Sequence, residues 1–350
     1  MKQGFIIILI GLFFPTLGQN SPQDKNWDTV FQDDFSTFNT SLWYKAHNHV
    51  HGDSTGEEPQ VYIQDDAYIN YIDGSNKLVL RTRKLNSPYQ WTNPSQHCPK
   101  GNNCWYSNNH YYTSGQISSN ILYKYGYFEI YAKLPSGTVF WPAFWLWNAN
   151  KIPPNCFYNE IDIMEANGCE PNWVSSNFQA TFDCEERDRD AIHHTCNYSD
   201  GNYHWFGVEW NRDKITWYVD RVSVRQIPNN LWGIGIQNPL VIIINLALFP
   251  PSWNKCLLDT TLFPAYMYID YVNIYHLKED RTGIINACNY NFDLYDNRVK
   301  RNITIGGQGC GNTIENGKNI TLRAAEFIQI NGEFTVEPGA EFYMDVNEFY

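Results

Sequence analysis

Charge is scarce in this chain: Asp, Glu, Lys and Arg together make up only 18% of its 350 residues. Aromatics reach 16% and hydrophobics 43%, so the chain has material for a sizeable core and is not a disordered polypeptide. Basic residues are the scarcer sign, 25 against 37 acidic, for a net charge of −12. Nucleic-acid affinity comes largely from Lys and Arg, so no nucleic-acid partner is expected. No C-x-x-C pair occurs, which argues against a structural zinc site. Long apolar runs are missing beyond the first residues. The run Val241–Leu248 has the length of a buried strand and not of a membrane span, so no membrane insertion is expected.

The start of the chain differs. Lys2 precedes the apolar run Phe5 to Phe14, followed by Pro15-Thr16-Leu17-Gly18. A charged start, a short apolar core and a small-residue exit read as a cleaved secretory signal over 1–18, placing the protein outside the cytoplasm. Nine Cys then meet oxidising conditions, where disulfides are the default. Short loops suggest Cys98 with Cys104, Cys184 with Cys196, and Cys288 with Cys310, with one Cys left over; sequence does not fix connectivity.

Helix signals are few. Lys77-Leu-Val-Leu-Arg-Thr82, Gly126 to Ala132, Trp205 to Trp210 and Lys214 to Val219 alternate with period two and are rich in Val, Ile and aromatics. Many short strands with Asn, Asp, Gly and Pro between them predict an all-β protein, an antiparallel sandwich or barrel, over 27–278. The polar stretch Lys278 to Gly283 reads as a linker. Residues 285–350 form short alternating strands around Asn331-Gly332 and Pro338-Gly339, a small β module with no cluster suited to chemistry.

The segment Asn159-Glu-Ile-Asp-Ile-Met-Glu-Ala166 is the most informative. On a strand, Glu160 and Asp162 share one face while Ile161 and Ile163 face a core. Strict alternation turns Glu165 away; a β-bulge near Ile163-Met164 returns it to the face of the other two. Three acids on one face without Lys or Arg nearby raise at least one pKa, which a structural strand rarely accepts. A carboxylate and a carboxylic acid flanking a glycosidic bond are what its hydrolysis requires, and close spacing suits retention of configuration. Three carboxylates holding Ca²⁺ is the competing reading, although the apolar residues between the acids do not resemble a calcium loop.

These residues match a known pattern. Glu160-Ile-Asp-Ile-Met-Glu165 resembles the bulged E-x-D-x-x-E signature of glycoside hydrolase family 16, in its laminarinase-like branch. Tyr112 to Ser119, Tyr125 to Pro135, Trp141-Pro-Ala-Phe-Trp-Leu-Trp147, Trp217-Tyr-Val-Asp220 and Tyr268-Ile-Asp-Tyr-Val272 resemble its strands in the expected order. The resemblance covers Phe31 to His276. It implies a jelly roll of two antiparallel sheets curved around a substrate groove. Glu160 would be the nucleophile, Glu165 the general acid/base, and Asp162 would hydrogen-bond the nucleophile. No catalytic cofactor is implied. The implied protein is a monomeric, secreted, retaining endo-glycosidase on a β-linked polysaccharide, most simply a β-1,3-glucan. An algal galactan hydrolase and a non-catalytic glucan-binding protein are the alternatives.

Further residues follow from the groove and the resemblance. Sugar C–H faces pack on aromatic rings, and Trp141 and Trp145 share a face of the strand preceding the acids. Glu58 and Gln60 resemble a family loop at the glycone end, and His204 a His near the cleft. Trp105, Tyr111 and Tyr112 could extend the groove. Asp270, with Asp34 and the carbonyl of Gly74, matches a structural Ca²⁺ site away from the acids. The chain also departs from the family: Asn245-Leu-Ala-Leu-Phe-Pro-Pro251 lacks the glycine pair that commonly follows Asn-Leu-Ala.

Overall fold

The computed structural model describes residues 27–53, 56–90, 110–150, 156–182, 188–211, 214–229, 235–250, 256–277, 279–295 and 299–346. The secretory signal over 1–18, the Cys98–Cys104 loop, Trp105 and Cys184 lie outside them. The described residues fall into two compact units, Asp28–Leu277 and the strands that follow Lys278.

The first unit is built on two large sheets. A ten-stranded sheet runs Val222–Pro228, Lys214–Val219, His204–Trp210, Gly126–Lys133, Ala265–Leu277, Ser75–Lys84, Tyr112–Ser114 and Gln60–Tyr62, with Trp27–Asp33 and Ala67–Ile72 attached. An eight-stranded sheet runs Asp188–Arg189, Trp173–Phe182, Phe157–Ala166, Phe140–Asn150, Val241–Leu248, Gln116–Ser119 and Trp43–Lys45, with Ile192–Thr195 paired to Trp173–Phe182. Along the two strand orders, neighbours pair antiparallel except Gln60–Tyr62 with Tyr112–Ser114. This is the expected jelly-roll sandwich.

Period-two alternation builds the core. Phe128, Ile130, Phe206, Val208 and Trp217 of the ten-stranded sheet meet Phe144, Leu146, Ile161, Phe178 and Ile244 of the other, all essentially inaccessible to water. The opposite face of Phe140–Asn150 is left with Trp141, Trp145 and Trp147. Nothing in the core requires those three, and they line the face that carries the acids.

Asn167-Gly168, just after the acid strand, closes tightly on Thr138 and Phe140. Gly168 donates its N–H to the Phe140 carbonyl at 2.8 Å. A Cβ at this glycine would sit 2.4 Å from the Thr138 carbonyl oxygen, so only glycine permits the approach. Cys169, next in the chain, is disulfide-bonded to Cys256. Cys288 pairs with Cys310 as expected, and Cys156 is also disulfide-bonded. The expected partnership of Cys196 with Cys184 is not made: Cys196 is a free, buried thiol, packed in the sandwich core.

The second unit corrects the linker reading. Polar residues 279–283 belong to a strand, Glu279–Ala287, paired in parallel with Val299–Ile314. Asn319–Val336 and Glu341–Val346 continue the same parallel sheet. Thr313 pairs with Thr335 and Asn319 with Glu341, an offset of 22 residues in each case (335 − 313 and 341 − 319). The same spacing is visible as Thr313-Ile-Glu-Asn-Gly317 against Thr335-Val-Glu-Pro-Gly339. Stacked repeats bury one continuous core, here Ile303, Ile305, Ile314, Leu322 and Ala324. Asn331-Gly332 is therefore a corner inside a long strand. Gly332, at φ +81°, packs where a Cβ would meet the Gly307 carbonyl oxygen at 2.6 Å.

Candidate active site

Strand Phe157–Ala166 carries the acids, and its pairing shows the bulge on both sides. Toward Phe140–Asn150, Asp162 faces Trp145 but Met164 already faces Phe144, so Ile163 is the extra residue. Toward Trp173–Phe182, Asp162 faces Asn177 and Glu165 faces Ser175, two residues against one. The slip returns Glu165 to the side of Glu160 and Asp162: Asp162 feels the charges of both glutamates, and Glu165 feels that of Glu160. The bulge leaves the Asp162 carbonyl aimed inward. Trp217, on the opposite sheet, satisfies it by donating Nε1 at 2.9 Å.

Each acid has its own surroundings. Glu160 accepts hydrogen bonds from Tyr158 OH and Gln179 Nε2, one on each carboxylate oxygen. Asp162, 3% exposed, lies between the two glutamates. Burial, then the charges of Glu160 and Glu165, push its pKa well up, against hydrogen bonding by Asn177 and Gln179. Glu165 accepts from Trp141 Nε1 at 2.9 Å. Burial and the Glu160 charge push Glu165 up to about 7, while the Trp141 bond pulls it down. Glu165 is thus a carboxyl that holds a proton near neutral pH, beside a glutamate fixed by two donors. That division of labour is what acid-assisted attack on a glycosidic bond needs.

Trp141 and Trp145 both lie on the acid face. Trp145 donates Nε1 to Asn245 Oδ1 at 2.8 Å, and its ring meets the edge of His51. Asn245 in turn donates to Tyr62 OH at 3.0 Å. Tyr62 OH donates to Glu58 Oε2 at 2.9 Å, which Gln60 Nε2 also reaches. Glu58 and Gln60 therefore join the site, although as one buried network and not as a solvated loop. Burial and, to a smaller extent, the Glu165 charge raise Glu58 to about 7, against the bonds from Tyr62 and Gln60. His51 lies 3.7 Å from Glu58, but burial lowers the imidazole to about 3. Near neutral pH this contact is not a full ion pair.

Two expectations fail on geometry. His204 opens a strand of the ten-stranded sheet, not of the acid-bearing one. Its imidazole hydrogen-bonds Asp220 (2.9 Å) and Asp200 (3.3 Å), which makes it a strand-start clasp and not a groove residue. The residues proposed for Ca²⁺ do not fit a hard cation either. Lys77, 3% exposed, places its ammonium 2.6 Å from Asp270 Oδ1, and Ca²⁺ there would have to displace a buried positive charge. The Asp34 carboxylate accepts from the Ser36 N–H at 2.9 Å. Gly74 sits at φ +91° in the turn before Ser75. Among the described residues no three His, Cys, Asp or Glu side chains gather around a cation position. Tyr111 is exposed, and Tyr112 packs on Phe263.

Several site residues carry no signal of their own in the sequence. Tyr158 and Gln179 are found only through register: Tyr158 lies two before Glu160 on the same face, and Gln179 is the cross-strand partner of Glu160. Tyr62 and Asn245 are linked through the fold alone.

The model of the family "Glycosyl hydrolases family 16" matches residues 72–254, which include all three acids. The chain belongs to glycosyl hydrolases family 16. It is 27% identical over 277 residues to glucan endo-1,3-beta-glucosidase A1 of Niallia circulans, covering 73% of this chain and 38% of that protein. The chain thus spans under two fifths of that curated relative's length. Among solved structures it resembles a chain from a study of endo-acting O-glycanases with which human gut microbiota initiate mucin breakdown. That match has a TM-score of 0.60 and 26% identity, over 73% of this chain and 92% of the other. It also resembles the laminarinase catalytic domain of Thermotoga maritima, with a TM-score of 0.53 and 25% identity, over 72% and 98% of the two chains.

Proposed function

We propose that this family 16 member is a secreted, retaining endo-β-glycosidase whose substrate is a β-1,3-glucan. The observation that carries the reading is the bulge at Ile163, which turns Glu165 onto the face of Glu160 and Asp162. Glu165 protonates the leaving oxygen while Glu160 attacks the anomeric carbon. Glu165 then takes a proton from the water that frees the sugar. Asp162, held between the two glutamates, tunes their shared protonation.

The charge of the groove supports a neutral glucan over a sulfated galactan. Its described residues include Glu160, Asp162, Glu165 and Glu58, with His51 neutral at pH 7. A sulfated chain favours Lys and Arg there. The names of the Niallia and Thermotoga relatives point the same way, and the disulfides suit export. The reading is tested by product release from laminarin, mixed-linkage glucan, agarose, carrageenan and mucin. Fastest release from laminarin is expected, with products several sugars long. Release from mucin or agarose but not from laminarin would replace the substrate while leaving the mechanism. Tight laminarin binding with no product would revive the non-catalytic alternative.

A further inference from the structure

Residue 249 is where the resemblance leads one to expect glycine and the chain has phenylalanine. Its ring lies flat on the indole of Trp141, centroids 4.3 Å apart and planes 4° from parallel. Trp141 in turn donates Nε1 to Glu165 Oε1. The stack is anchored at its backbone. Phe249 donates its N–H to the Val139 carbonyl at 2.9 Å, and Leu248, just before it, donates to Gln60 Oε1 at 3.0 Å. Ala247 and Leu248 are cross-strand partners of Trp141 and Phe140. The ring is therefore fixed against the strand that bears the tryptophan.

We propose that Phe249 is a positioning residue for the acid/base: it covers one face of Trp141 and holds the indole N–H on Glu165. The proposal rests on the reading of Glu165 as the acid/base. An indole free to rotate about its side-chain torsions would spend part of its time off the carboxyl, whereas a parallel aromatic neighbour restricts it to one orientation. A donor to the ionised carboxyl favours that form, so Phe249 sets through Trp141 how readily Glu165 gives up its proton. The other groups facing Glu165 push the opposite way or stay neutral. Glu160 and Asp162 are on its own strand, and Glu58 acts on it from the buried network of Tyr62 and Asn245; all three are acids.

Two readouts test this with F249A, F249L, F249Y and W141F. The first is the pH profile of kcat/KM on laminarin. F249A and F249L should move the alkaline limb upward by about half a unit or more, F249Y should leave it in place, and W141F should move it as F249A does. Adding F249A to W141F should move it no further. The second readout needs no turnover: the ¹⁵N–¹H resonance of the Trp141 indole, assigned by its loss in W141F. In the parent it should titrate with Glu165, and in F249L that titration should fade. F249L keeps apolar bulk, so it covers the case in which F249A fails to fold. An unmoved limb and an unchanged indole titration in F249L, with W141F shifted, would overturn the proposal. If E165Q hydrolyses laminarin at the parent rate, the acid/base reading fails instead, and the indole titration still decides whether Phe249 positions Trp141.

Discussion

Replacing Glu165 by glutamine should make the protein more stable, and only at high pH. Glu165 is raised from an ordinary value near 4.5 to about 7 by burial and the Glu160 charge. The folded state therefore holds this proton more tightly than the unfolded chain does. The sign follows: the contribution is complete below about 4.5 and is lost as pH rises through about 7. At pH 8.5 the parent must carry a carboxylate that the fold disfavours, whereas glutamine stays neutral and can still accept from Trp141. Two and a half pKa units correspond to about 3 kcal/mol, a ceiling because the side chain is only half-buried and solvent screens part of the charge. A working range of about 1–3 kcal/mol converts to roughly 3–10 °C in a domain of this size. The assay is thermal unfolding of parent and E165Q from pH 4.5 to 8.5. The two curves should meet near pH 4.5 and separate in favour of E165Q above pH 7. A constant difference across the range, or a parent more stable at pH 8.5, would refute the placement of Glu165 among the other acids.

Other outcomes follow from the same geometry. E160Q should fold and bind laminarin as the parent does while losing turnover by several orders of magnitude, as binding and product assays will show. W217F removes the donor to the bulge carbonyl of Asp162; it should destabilise by about 1–3 kcal/mol in urea unfolding and lower kcat more than KM, because the bulge aims Glu165. Opening the Cys169–Cys256 bridge by C169S with C256S frees a loop with a sequence separation of 87 and should cost up to about 4.6 kcal/mol in the same assay. Because Lys77 already neutralises Asp270, dialysis against EDTA should leave the melting temperature unchanged, whereas K77M should lower it.

The fold was legible because the strands alternate strictly and are short, so one face of each could be assigned before any contact was known. The acids were legible for a related reason. Three carboxylates on one strand face conflict with ordinary strand chemistry, and only a bulge reconciles Glu165 with the other two. The environments of those acids were not legible. Tyr158 and Gln179 act on Glu160 from positions set by cross-strand register, and Tyr62, Asn245 and Glu58 join only through tertiary approach. His204 misled because a His at a strand start looks alike whether it faces a cleft or clasps Asp200 and Asp220. Lys77 shares its strand with apolar core residues and gave no sign of being the partner of Asp270, 193 residues away. In the second unit a repeat of 22 residues was present in Thr313 to Gly317 and Thr335 to Gly339, but few copies make a weak period. Polar residues 279–283 resemble a linker because parallel rungs draw stability from their neighbours and not from their own alternation.

The most direct measurement uses a 2-deoxy-2-fluoro laminaribiosyl donor with a good leaving group, followed by peptide mass spectrometry of the inactivated protein. One sugar adduct is expected, on Glu160, because that carboxylate attacks while Glu165 serves the proton. An adduct on Glu165 or Asp162, or complete turnover of laminarin with inversion at the anomeric carbon, would contradict it.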